Sequence, residues 1–281
     1  MCIRDSLYEA VRRYFEYYRI DWSDATPHWE LFDHPLMLRM FCEVTNPRRQ
    51  QMVGIEAMPT SLTAMFDRYL DQVAQRICEL APRSWRYFES DIRSALSRIG
   101  LALWDTRARS IDMAELRRLL GDAERPWDQS IVRAMEHDGI LIRVSGYNSS
   151  AGAMTLVYDA LAGHIVADAL LDRFEGRALT RWLNRNGAAA AFSADTATRH
   201  PLATDIFRGL VGLMPRRSHR RQLWPLLQEP LRTEALCETA WLEACFLDSA
   251  TVSELSHSVS YTHLRAHETV LDLVCRLLLE K

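Results

Sequence analysis

Lysine is all but missing from this 281-residue chain: Lys281 is the only one, and every other basic side chain apart from histidine is arginine. A phosphate-binding loop of the G-x-x-x-x-G-K-[ST] kind needs a lysine on the transferred phosphates, and Schiff-base chemistry needs a lysine amine. Neither can be assembled here. Long apolar runs are missing as well, since no stretch approaches the roughly 18 to 20 uncharged residues that span a bilayer. The N-terminus also lacks a basic segment followed by an apolar stretch and a small-residue cleavage site, so a cytoplasmic location and no membrane partner are expected. There is no excess of one charge: 34 Lys+Arg stand against 37 Asp+Glu, a formal net charge of −3, which gives no global attraction to a phosphate backbone or an anionic bilayer. Paired cysteines are absent too. Cys2, Cys42, Cys78, Cys237, Cys245 and Cys275 lie far apart with no Cys-x-x-Cys and read as reduced thiols inside apolar helical patterns.

What is present is an ordinary globular composition, 48% hydrophobic, long enough for about two domains by the usual length prior. No spacing sets a nucleophile beside a base, and no carboxylate pair stands apart from ordinary helix surfaces, so no catalytic residue is expected in this chain. In the group His263-x-x-x-His267-Glu268 the two histidines, four residues apart, could share one helix face and bind zinc. No third ligand is placed by the sequence, so no metal site is expected. Residues 1–6 (MCIRDS) and the tail 256–281 do not continue the patterns beside them. Both resemble translated adapter read-through and are expected to be artefact sequence outside the fold, with the natural protein extending further at each side.

Along the rest of the chain the periodicity is mostly helical. Leu7, Val11, Tyr14, Phe15 and Tyr18 share one helix face. A short helix is expected over Trp29 to Phe32, followed by a nearly all-apolar helix over Leu36 to Val44 that opens at Pro35, where a missing N–H costs nothing. Leu62, Met65, Phe66, Tyr69, Leu70, Val73 and Ile77 form the clearest amphipathic stripe in the chain, and a further helix covers about Phe88 to Trp104. Then Ser110-Ile111-Asp112 precedes a helix over Met113 to Leu120, a second runs from Trp127 to His137, and Gly139 supplies a left-handed stop. Strands over Ile140 to Val144 and Met154 to Tyr158, joined by a glycine- and serine-rich loop, complete the order helix, helix, helix, strand, wing, strand of a winged helix. A helix over Asp159 to Phe174 follows, and beyond Gly176 short helices punctuated by prolines suggest a repeat-like region, among them Leu202 to Met214. The fold class expected is therefore mostly α, with a winged-helix domain bearing a small β-hairpin wing and then an α-helical repeat-like region.

Three stretches carry a family resemblance. His34-Pro35-Leu36-Met37-Leu38-Arg39-Met40-Phe41-Cys42 is similar to the N-P-L-L-L-x-x-x-C segment at the head of the helical lid of the NACHT-type STAND NTPases. Glu136-His137-Asp138-Gly139-Ile140-Leu141 resembles that family's turn before the wing, and Val157-Tyr158-Asp159-x-Leu161-x-x-His164-x-x-Ala167 resembles the helix closing its winged-helix domain. The matched order spans residues 7 to about 175. The resemblance implies the end of a nucleotide-binding domain at 7–26, a helical lid at 27–84, a winged-helix domain at 85–175 and the start of a helical repeat-like domain at 176–255. It implies ATP and ADP as the cofactor, with the phosphate loop and magnesium site in an NTPase core upstream of this chain. Self-association on activation, a protein trigger at the helical repeats and a role in bacterial antiviral defence are implied with it. In the family the lid proline packs on adenine and a winged-helix histidine touches the β-phosphate. Pro35, with His34 beside it, takes the first position; Tyr158 stands in register with the second, so a neutral hydroxyl replaces an imidazole there.

Two other readings of the same residues stay open. Winged helices often bind DNA, but the Trp127 to His137 segment, with Asp138 following, sets Asp128, Glu136 and Asp138 against Arg133, a poor phosphate-contacting surface. A helical adaptor without nucleotide history is the other. His164 reads as a partly buried structural histidine, and the basic run Arg216, Arg217, His219, Arg220, Arg221 reads as a solvated loop that could meet a phosphate.

Overall fold

The computed structural model describes residues 3–23, 32, 34–81, 86–144, 152–192, 197–217 and 222–244. The expected tail, His263 and His267, most of the Trp29 to Phe32 segment, the tip of the wing and residues 218–221 lie outside them. The described residues are mostly helical, with a small antiparallel sheet, and no described helix is long and apolar enough to cross a membrane. They fall into two compact units, one holding the described residues up to Leu70 together with 240–244, and one formed by Asp71–Thr239.

The first unit is built on α1 (Ile3–Tyr18) and α2 (Pro35–Thr45). The stripe Val11, Phe15, Tyr18 is buried, and Phe15 stacks on Phe41 at 5.9 Å while Phe32 meets both rings edge-on at 5.9 and 5.1 Å. Buried aromatic pairs of this kind add about 0.5–1.5 kcal/mol beyond area burial. Asn46 caps the C-terminus of α2 and is itself buried, its side-chain amide donating to the carbonyls of Tyr18 and Gln51 at 2.8 Å each. One side chain thus joins the end of α1, the end of α2 and the loop beyond. Ile20 and Val53 form a parallel bridge beside it. The amphipathic stripe read from the sequence becomes α3 (Leu62–Leu80), whose residues up to Leu70 belong to this unit and the rest to the second; Leu62, Met65, Phe66 and Tyr69 are buried in its first half and Val73 and Ile77 in its second.

In the second unit α4 (Glu89–Thr106), β1 (Ser110–Asp112), α5 (Met113–Leu119), α6 (Ile131–Asp138), β2 (Leu141–Val144) and β3 (Ala153–Leu156) follow in chain order. The sheet order is β1-β3-β2, antiparallel throughout, with Ile111 opposite Met154 and Leu141 opposite Leu156. This is the connectivity of a winged helix. Two details differ from the sequence expectation. Ser110–Asp112 is a strand before it is a cap: β1 pairs with β3, and the Asp112 carboxylate then accepts the Ala114 N–H at 2.9 Å to start α5. The helix expected over Trp127 to His137 is broken, because Ser130 adopts an extended conformation and restarts the helix at Ile131 after a single 3-10 turn over Trp127–Gln129. Asp122, fully buried, holds that restart. One of its carboxylate oxygens accepts from the Ser130 hydroxyl and the Ile131 N–H, both at 2.6 Å, a negative charge at a helix N-terminus. Gly139, at φ +87°, ends α6 where a side chain would be strained.

The helices that follow are α7 (Asp159–Arg173), α8 (Arg177–Leu183), α9 (Asn186–Phe192), α10 (Ala203–Arg217) and α11 (Leu231–Ala244). The compact unit runs across residue 175 without a break, and α7 is the reason. Its residues Leu161–Ala167 and Ala169–Leu171 are all buried, so most of the helix surface is covered, with Asp168 and Asp172 left on its remaining polar edge. It packs against α4 on the winged-helix side and α10 on the other. Both approaches are closer than ordinary side chains allow. A Cβ on Gly100 would sit 2.9 Å from the Ile165 carbonyl oxygen, one on Gly163 2.3 Å from the Asp205 carbonyl carbon, and one on Gly209 2.8 Å from the Ala167 Cβ. Around this spine an aromatic group of Phe174, Trp182, Trp104 and Phe192 closes the far end, joined by His200, which stacks on Trp104 at 5.4 Å.

Candidate functional site

In the first unit the sequence-predicted residues sit at the head of α2. Pro35 is the first helical residue, and both it and His34 are exposed. His34 is the N-cap: its backbone is extended and its Nδ1 accepts the Leu36 N–H at 3.3 Å. Burial of Met37, Leu38, Met40 and Phe41 anchors the helix and leaves the Pro35 ring on its first turn as an exposed, rigid apolar plate. An apolar plate beside an imidazole edge can receive a planar heterocycle.

In the second unit Tyr158 is the N-cap of α7, in extended conformation (φ −148°, ψ 130°), and is half-buried. Charged residues surround it. Arg109 reaches Asp159 at 3.1 Å and donates to the Pro201 carbonyl at 3.0 Å. From α10, Arg208 grips Glu238 of α11 through two hydrogen bonds of 2.8 and 3.2 Å. Burial, reinforced by the negative charge of Asp205, raises the Tyr158 hydroxyl above its ordinary pKa, against a smaller opposing pull from Arg208. It therefore remains a neutral donor at physiological pH. Asp205 is likewise pushed up, chiefly by burial, with Arg208 opposing and Asp159 adding to the rise. The arrangement sets a half-buried phenol at the head of α7 among the charges of Asp205, Arg208 and Asp159, with the guanidinium of Arg208 committed to Glu238.

His164 lies inside α7 and is only 2% exposed, more deeply buried than the partly buried structural histidine expected from the sequence. Arg217, from the basic run, is taken up by Asp168 and Asp172 of α7, at 2.5 Å for the first. The α6 surface is less acidic than its sequence: Glu136 pairs with Arg143 at 3.1 Å, and Asp138 is held by two hydrogen bonds of 2.8 and 3.0 Å from Arg76 of α3. Arg133 and His137 are its exposed basic positions. Among the described residues no group of three or more His, Cys, Asp or Glu converges as a metal would require.

Sequence reasoning did not find Asp205, Arg208 and Glu238. Asp205 and Arg208 are visible only as polar breaks flanking the apolar face of α10, and Glu238 lies on another helix with no periodic link to them. Comparisons of the chain with models of known families, with curated proteins and with solved structures find no match.

Proposed function

We propose that this chain is the lid and winged-helix portion of a nucleotide-gated signalling ATPase of the NACHT-type STAND kind, acting in the cytoplasm. The observation that carries the reading is the construction of the second unit: a winged helix whose last strand passes through Tyr158 into α7, a helix locked by glycine contacts to the helices on both sides. A switch needs an element that moves as one body and is biased by differential contacts with its ligand. A winged helix fused to the following helices through a largely buried spine is such a body, and Tyr158 stands at the head of that spine.

In this reading Pro35, with His34 beside it, meets the adenine, and Tyr158 donates a neutral hydrogen bond on the phosphate side. Phosphates and magnesium are held by a core encoded upstream, and the chain itself carries no catalytic residue. ADP keeps lid and winged helix closed; exchange for ATP, prompted by a protein trigger at the later helices, releases surfaces for self-association. A preference of about 5.5 kcal/mol between the two nucleotide states would carry such a switch from nearly closed to nearly open. Antiviral defence in a bacterium is the setting proposed with it.

The test is to clone the genomic sequence preceding Leu7 together with this chain and measure adenine nucleotide binding. The reading expects a G-x-x-x-x-G-K-[ST] loop in that sequence and binding of ADP at about micromolar Kd. An upstream sequence without a phosphate loop overturns it. Salt-resistant, sequence-specific retention of a DNA duplex would favour a winged-helix regulator.

A further inference from the structure

Within the second unit α10 and α11 are held in two different ways. α10 meets α7 backbone to backbone. Asp205 and Gly209, one turn apart on α10, both lie against Gly163 of α7, and a Cβ on Gly209 would stand 3.0 Å from the Gly163 carbonyl oxygen and 3.1 Å from the His164 Cα. Beside that crossing α10 buries Ile206, Phe207, Leu210, Val211, Leu213 and Met214. Helices this close cannot part without opening the filled interior around them.

α11 is attached through side chains. Over Leu231–Thr239 its buried positions are Leu231, Ala235 and Thr239, one row at four-residue spacing in which only the first is a large apolar group. The Thr239 hydroxyl is spent inside the helix, donating to the Ala235 carbonyl at 2.7 Å. Beside this thin row stands a charge-assisted clasp. Arg208 of α10 donates two hydrogen bonds to Glu238, at 2.8 and 3.2 Å, and the two side chains are 26% and 18% exposed. A bidentate guanidinium–carboxylate pair largely shielded from water is among the stronger polar contacts a fold can make. Glu234, one turn before it, does not act as a second clasp. It is half-buried, and burial pushes its pKa up against a smaller pull from Arg199, so its charged form is disfavoured where it sits.

We propose that α11 is a displaceable latch, clasped to α10 by Glu238 on Arg208, which opens while the α7–α10 crossing stays closed. An element with few large buried side chains is where local opening is expected to fall below global unfolding in free energy. The negative charge of Asp205 remains close to Arg208 when the clasp is open, so release does not leave the guanidinium without a counter-charge. A protein trigger at the later helices would act on this latch. That use rests on the switch proposed above, whereas the latch itself does not.

The test is hydrogen exchange by mass spectrometry on the full chain without nucleotide, so its result is independent of what the upstream sequence encodes. Amides of Leu231–Thr239 should be at least about tenfold less protected than those of Leu161–Leu171 in α7. Glu238→Gln, which removes the charge and keeps the size, should lower the α11 protection by a further factor of about ten or more and leave α7 unchanged. Glu238→Asp, which keeps the charge on a shorter side chain, should fall between the two. The proposal is overturned if α11 is as well protected as α7 in the parent chain, or if Glu238→Gln leaves α11 as it was. It is equally overturned if that substitution lowers α7 protection by the same factor or abolishes folding, since Glu238 would then hold the whole unit.

Discussion

Gly163→Ala is the substitution that bears most directly on α7 as a rigid spine. The added methyl would stand 2.3 Å from the Asp205 carbonyl carbon and 2.5 Å from both its carbonyl oxygen and its Cβ. Carbon atoms in contact prefer about 3.5–4.0 Å, so α7 and α10 must separate locally by more than about 1 Å or the α10 backbone must bend. Overpacking of a filled interior costs about 1–3 kcal/mol, and a clash with backbone, which cannot rotate away, belongs at the upper end. Alanine in a helix interior returns about 1 kcal/mol of intrinsic preference. The expected net loss is about 2 kcal/mol, a fall in Tm of about 4–8 °C for a unit of this size, read by far-UV circular dichroism. Gly209→Ala, aimed at the same crossing from the other helix, should behave alike, and the double variant should lose less than the sum because one separation relieves both contacts. If Gly163→Ala melts at or above the parent, α7 and α10 are not locked as described.

Three further outcomes follow from the same geometry. Asp122→Ala strips the buried Ser130 hydroxyl and Ile131 N–H of their acceptor and should destabilise the chain by about 3 kcal/mol, seen as a lower urea midpoint at unchanged m-value. His200 is 1% exposed, its Nε2 within 3.0 Å of the Leu103 carbonyl and its Nδ1 accepting from Leu202 at 3.0 Å, and burial lowers its pKa despite the Leu103 contact. The unfolded chain then binds the proton first, so stability present above about pH 6.5 should drain by up to about 1.4 kcal/mol per unit as pH falls below that value. His200→Gln should remove that part of the pH dependence. Cys42, fully buried in α2 with its thiol pushed up by burial, should resist a thiol reagent in the native chain and react on unfolding, whereas Cys78 and Cys237 should react sooner.

Local physics made much of this fold readable in the sequence. The stripe of α3, the proline at the head of α2, the glycine stop after α6 and the two wing strands all follow from periodicity and capping within a few residues of one another. β1 did not show itself, because three residues carry no period and its partner Met154 is distant in the chain. The break at Ser130 was hidden for a similar reason: Asp122, which restarts the helix, lies outside the turn it caps. The broad burial of α7 could not be told from its ordinary composition, and the glycines that let α10 approach it look like any others until both helices are in place. At the candidate site Pro35 and Tyr158 are legible as helix-head positions. The Arg208–Glu238 pair beside Tyr158 depends on segments that only folding brings together.

The most direct test of the proposed switch is hydrogen exchange on the chain joined to its upstream core, with and without saturating ADP. The account predicts slowed exchange at two places, the first turn of α2 from Leu36 and the first turn of α7 after Tyr158. Exchange unchanged at both, in a protein shown to have bound ADP, would contradict it.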